Sequence, residues 1–104
     1  MKVEWSPFAS AQLYNILDVI KDAQSLDVVL KWHDKINGAV AVLEDFPLIG
    51  TPLPPSTHEG FEDFFKGLRQ IVLPPYRIVY EPKDDCCVVL FCQRTAQMLA
   101  PHSN

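Results

Sequence analysis

The sequence predicts an α+β domain of order β-α-α-β-β-β, in which a helix hairpin lies across one face of a small twisted antiparallel sheet. Three observations carry this reading. Apolar residues recur at helical spacing between positions 13 and 43, as on a helix with one buried stripe. After Leu68 the pattern changes to short runs rich in β-branched and aromatic residues, the signature of strands. A proline-rich segment separates the two regimes. Strands that follow one another through short turns form an antiparallel meander. Two helices laid across one face of it give a layered α+β domain.

The elements follow in order. Met1 to Trp5 alternates, with Val3 and Trp5 on one side and Lys2 and Glu4 on the other, which is the period of a short strand. Ser6-Pro7 starts the first helix, since Ser caps free N–H groups and Pro suits the first helical position. Leu13, Ile16, Leu17 and Ile20 give that helix its stripe, and it ends near Asp22. Ser25 caps a second helix, with Asp27 at the positive end of its dipole. Its buried stripe is Val29, Trp32, Ile36, Val40 and Leu43, and it runs to about Asp45. Gly38 interrupts the stripe and is expected to let the first helix approach closely.

Phe46 to Gly60 holds Pro47, Pro52, Pro54 and Pro55 together with Gly50, a density that forbids helix and central strand. Phe61, Phe64 and Phe65 are too many aromatics for a solvated linker, so this stretch folds back on the body. Leu68 to Leu73 is a strand, Pro74-Pro75 a tight break and Tyr76 to Glu81 a second strand. Pro82 to Asp85 is a turn, because Pro presets φ and Asp supports local hydrogen bonds. Cys86 to Gln93 is the third strand. Its run from Val88 to Phe91 is apolar on both faces, so it lies in the sheet interior. Tyr76 and Tyr80 share a face and pack against the helices. From about residue 96 the chain is expected to fray.

Composition bounds the function. The 104 residues are 48% apolar and 21% charged, the balance of one domain, 1–104, with a real core. No apolar run approaches the roughly 20 residues that span a bilayer, and the N-terminus has no apolar leader, so the expected location is the cytoplasm, away from membranes. A net charge of −4 argues against a general nucleic-acid coat. Cys86, Cys87 and Cys92 form no Cys-x-x-Cys motif, and His33, His58 and His102 are scattered. The expectation is therefore no metal, no cofactor and reduced, mostly buried thiols.

The charge is unevenly divided. Met1 to Phe65 carries four lysines and ten acids, whereas Lys66 to Asn104 carries two lysines, three arginines and three acids. The three arginines, Arg69, Arg77 and Arg94, all fall on predicted strands. Arginine presents a planar fork to phosphate or carboxylate, so a sheet-borne set is a candidate grip on an anionic partner. The plainer reading pairs each with a nearby acid, such as Arg77 with Glu81, or leaves it on a wet face. No Ser-His-Asp or Cys-His spacing and no Gly-rich phosphate loop is present, and no catalytic residue is assigned. His33 is placed as a boundary residue of the second helix. His58 sits in the proline-rich loop, without the rigid support a general base needs.

The element order, with Gly67-Leu68-Arg69-Gln70-Ile71-Val72, Tyr76-Arg77-Ile78-Val79-Tyr80-Glu81 and Cys87-Val88-Val89-Leu90-Phe91 running on to Arg94, resembles the ParE/RelE superfamily of type II toxins. Trp5-Ser6-Pro7 with Ala9 and Ala11, and Phe46-Pro47 after the second helix, extend the likeness over about residues 1 to 95. In this superfamily one branch cleaves mRNA in the ribosome and the other poisons DNA gyrase. The nuclease branch needs cationic groups at the scissile phosphate and an acid/base, commonly a late tyrosine. Arg69, Arg77 and Arg94 match the family's arginine positions, yet Thr95 to Leu99 holds neither Tyr nor His, and the chain is acidic.

The resemblance therefore implies the ParE-like branch: a gyrase inhibitor that acts by binding, without hydrolytic chemistry or direct sequence-specific contact with nucleic acid. It implies a ParD-like or related antitoxin in a hetero-oligomer, in the setting of plasmid or prophage maintenance. The antitoxin segment is expected in a groove lined by Leu13, Leu17 and Trp32, with Arg69, Arg77 or Arg94 pairing its acids. The alternatives are a RelE-type endonuclease and a weakly toxic or non-toxic antitoxin-binding partner; the ParE-like pattern of a histidine and paired arginines after the last strand is replaced here by Cys92-Gln93-Arg94-Thr95.

Overall fold

A computed structural model of the chain describes residues 1–101. Its strands are β1 (Lys2–Trp5), β2 (Thr51–Pro52), β3 (Arg69–Leu73), β4 (Tyr76–Pro82) and β5 (Cys86–Arg94). Its α-helices are α1 (Pro7–Ala23), α2 (Leu26–Ala41) and the single turn α3 (Glu62–Phe65). The Ser6 side chain accepts the Ala9 N–H and Ser25 that of Val28, so both expected caps form. Gln24 and Ser25 alone join the two long helices. The second helix gives way to a 3₁₀ turn over Val42–Glu44, just short of the expected end.

The α+β class holds, with one correction to the sheet. Its order is β1-β5-β4-β3-β2, and β1 pairs with β5 in parallel, Trp5 opposite Val89. The sheet is therefore mixed. The reason is connectivity: α1 and α2 intervene between β1 and the meander, and the edge left open on β5 receives β1 in the same direction. β5 lies between two strands only over Cys86 to Val89, so the expectation of an interior strand is met for its first half, and Leu90 to Gln93 have β4 on one side and no described strand on the other. The proline-rich connector contributes β2, a two-residue edge strand of the kind proline tolerates.

Two cores sit on the two faces of the sheet. Between sheet and helices lie Ala9, Leu13, Leu17, Ile36, Val40, Leu43, Ile78, Tyr80 and Val89. On the other face Leu53, Phe65, Leu68, Val79, Phe91 and Leu99 are covered by the connector and the C-terminal segment. A β-bulge sets which residues of β5 join which core. Tyr80 opposes Val89 and Val79 opposes Phe91, so Leu90 is the extra residue. The inserted residue resets the alternation, and Val89 and Cys92, three apart, both face the helices.

Four further expectations need correction. A side chain at Gly38 would meet nothing within 4 Å, so that glycine does not serve close helix packing. The chain does not fray from residue 96: Leu99 is 1% exposed and its N–H donates to the Thr57 carbonyl at 2.8 Å. Only residues 102–104 of that expected tail, His102 among them, lie outside the described residues. His58 is buried rather than loosely held; its ring contacts Phe65, and its Nδ1 lies 3.0 Å from the Thr57 hydroxyl. Of the three phenylalanines after Gly60, only Phe65 is buried, while Phe61 and Phe64 stay at the surface. No described helix is long and apolar enough to cross a membrane.

Candidate protein-docking surfaces

The three arginines are held apart. On β4, Tyr76, Ile78 and Tyr80 face the helices, so Arg77 and Val79 face away. Arg69 lies opposite Tyr80 on β3 and Arg94 opposite Tyr76 on β5. These two therefore flank opposite ends of β4 from different strands, and the third is on the other face.

Each arginine is also used differently. Arg69 is half-buried, its Nε donating to the Gly50 carbonyl at 2.9 Å and its Nη2 to that of Leu48 at 3.3 Å. Arg77 is only 5% exposed. Its Nη2 donates to the Thr95 and Gln97 carbonyls at 2.5 and 2.9 Å, and its Nε has no hydrogen-bond partner among the described residues. It neither pairs with Glu81 nor reaches a wet face; burial lowers its pKa, because the charged form loses hydration. Arg94 is the one exposed residue of the three, its guanidinium 5.9 Å over the Tyr76 ring. The expected single anion-gripping set is not assembled.

The expected groove is also redistributed. Leu13 and Leu17 are buried in the helix-side core, and of the two Leu13 reaches a surface hollow, one of about 180 Å³ shared with Trp5, Tyr14, His33 and Asn37 rather than with Trp32 or the arginines. Trp32 is half-buried, with its ring edge-on to Tyr76 at 5.1 Å and Lys35 over its face at 4.8 Å.

One open apolar surface lies at the opposite sheet edge. A concavity of about 450 Å³ opens between α2 and the β3 edge, lined by Ala39, Val42, Ile49, Gly50, Ile71 and Val72 among others. Phe46, Leu48 and Ile49 beside it are 57–62% exposed. The sheet edge here is incomplete, because β2 pairs only with Arg69 and Gln70. The rest of β3, Ile71 to Leu73, meets β4 on its inner side and no described strand on its outer side. An uncovered strand edge beside an apolar hollow is a template for a partner segment. The sequence carried a signal for it in Phe46-Pro47-Leu48-Ile49, which is too apolar for a solvated turn.

Titration adds nothing catalytic to these surfaces. Burial pushes the Cys92 thiol up to about 12 and raises Tyr80 above its ordinary value. Both groups stay protonated near neutrality and neither is primed as a nucleophile or base. Among the described residues no His, Cys, Asp or Glu cluster could hold a metal ion.

Comparison with known proteins gives a family and structural neighbours. Residues 3–97 match the family model described as ParE toxin of the type II toxin–antitoxin system, parDE. Among solved structures, the chain is similar to one titled "Chromosomal ParDE TA system from P. aeruginosa", with a TM-score of 0.71 and 23% identity over 90% of this chain and 95% of that one. No curated protein sequence matches the chain.

Proposed function

Because the chain belongs to the ParE toxin family of type II toxin–antitoxin systems, we propose that it inhibits DNA gyrase by binding it and is itself neutralised by a small ParD-like antitoxin. One observation favours binding over RNA cleavage. A nuclease of this superfamily must converge cationic groups on one scissile phosphate. Here Arg77 is buried on one face, Arg69 is tied to two carbonyls, and Arg94 stands alone at the far end of the other face. The concavity beside the β3 edge supports the antitoxin half of the reading. An antitoxin segment can extend the sheet through main-chain hydrogen bonds while its apolar side chains fill the hollow. The proposed setting is the cytoplasm, where gyrase and a co-expressed antitoxin would both be met.

The test is a supercoiling assay with purified gyrase and ATP. The protein is expected to block supercoiling at near-stoichiometric amounts, and the antitoxin encoded beside it to restore activity. Ribosomes programmed with an mRNA form the second arm. Cleavage of that mRNA with gyrase unaffected would transfer the protein to the endonuclease branch. A stable antitoxin complex with neither activity would mark it as a non-toxic assembly partner.

A further inference from the structure

The loop between the 3₁₀ turn and β2 turns its apolar side chains outward. Phe46, Leu48 and Ile49 are each more than half exposed, yet the backbone that carries them is fixed. The Ile49 N–H donates to the Phe46 carbonyl at 3.1 Å, and Arg69 holds the carbonyls of Leu48 and Gly50. An anchored loop that shows such side chains to water is a ridge built for contact. Hollows lie on both sides of it. The concavity of about 450 Å³ opens toward β3, and a second hollow of about 370 Å³ is formed by Asp45 to Ile49, with Ile49 common to both.

The charges of this patch have both signs, and none is neutralised. Glu44 and Asp45, at the foot of the ridge, are exposed and have no cation within ion-pair distance among the described residues. The Arg69 guanidinium has carbonyl partners and, among the described residues, no carboxylate. A wholly acidic or wholly basic partner would answer one sign and oppose the other. A second copy of the chain answers both, and it brings a ridge for each hollow. Self-complementarity of this kind is what a twofold interface requires.

We propose that this patch is a homodimer interface. Across a twofold axis each copy sets Phe46 and Leu48 against the concavity of the other, and the Asp45 carboxylate of one copy meets the Arg69 guanidinium of the second. The contact covers the concavity assigned above to the antitoxin, so self-association masks that site and antitoxin binding dissolves the dimer. That exclusion rests on the antitoxin reading; the dimer itself does not.

Sedimentation velocity of the full chain alone tests the interface. The weight-average mass should rise with concentration from 11.8 kDa toward twice that value, with a Kd on the order of 10 μM, as for a weak interface of modest area. Leu48→Asp, at an exposed position, should raise that Kd about tenfold or more without lowering the melting temperature. Asp45→Lys should do the same while leaving the apolar surface intact. Leu30→Asp, similarly exposed on α2, should leave it unchanged. A chain that stays monomeric at millimolar concentration, or a dimer indifferent to both Leu48→Asp and Asp45→Lys, would overturn the proposal. Adding the antitoxin encoded beside the chain separates the two readings. Loss of the dimer to an antitoxin complex supports both, whereas an antitoxin complex that retains the Leu48-sensitive dimer keeps the interface and overturns the antitoxin's place in the concavity.

Discussion

The Tyr80 phenol oxygen accepts the Gly50 N–H at 3.0 Å across thirty positions of sequence. The same oxygen would lie 2.7 Å from a Cβ at position 50, as would the Gln70 carbonyl oxygen. The fully buried tyrosine thus both holds the 46–50 loop and forbids it a side chain. Arg69 completes the anchor by donating to the Gly50 carbonyl. One wall of the apolar concavity is fixed to the sheet in this way.

Gly50→Ala is therefore expected to destabilise the fold by about 2 kcal/mol or more, because the Gln70 carbonyl is backbone and cannot move aside. Tyr80→Phe keeps the ring but strands the Gly50 N–H, at a cost of roughly 1–3 kcal/mol. Urea unfolding of both variants checks the pair; wild-type stability in Gly50→Ala would show that the loop is not held against the sheet.

Arg77 governs the C-terminal segment. Arg77→Met leaves the Thr95 and Gln97 carbonyls without their donor, and is expected to cost about 1–3 kcal/mol. Hydrogen exchange should accelerate most at Leu99, whose N–H bonds to Thr57. Arg77→Lys should rescue little, since an ammonium lacks the planar fork that spans two carbonyls.

Alkaline pH should weaken the fold through Cys92. Its thiol is raised from an ordinary 9.0 to about 12, so above pH 9 the unfolded chain releases a proton that the folded chain retains. This contribution is fully present below pH 9 and is lost toward pH 12, by about 1.4 kcal/mol per pH unit in that window. Tyr80, also raised by burial, acts in the same direction above its ordinary 10.0. The stability of Cys92→Ala should fall less steeply from pH 9 to 11; parallel wild-type and variant curves would contradict the assignment.

Ile49→Asp and Val72→Asp test the concavity. Both residues are exposed, so thermal stability should change by no more than about 0.5 kcal/mol. Affinity for the antitoxin should fall by tenfold or more, roughly 1.4 kcal/mol for each charge set in an apolar contact. Leu26→Asp, equally exposed at the start of α2, should leave binding unchanged, and an equal loss there would move the interface to the helices.

The local elements were legible in the sequence. Leu13, Leu17 and Ile20 at helical spacing, the Ser6 and Ser25 caps, and the strand runs from Arg69 to Arg94 each depend on neighbours a few positions away, where periodicity and capping chemistry act. The site residues were legible only as chemical types. That Arg69, Arg77 and Arg94 are on strands could be read; that Arg77 is buried under Thr95–Leu99 could not, because strand alternation assigns a face without saying what covers it. Nor could the sequence show β1 entering parallel to β5, β2 stopping short of Ile71, or Gln12 reaching the Cys92 N–H eighty residues away. Such pairings follow from which strand edges and buried donors are still unsatisfied once the cores close. Local patterning sets the elements of this protein, but the leftover edges and cations that make its surfaces exist only in the assembled fold.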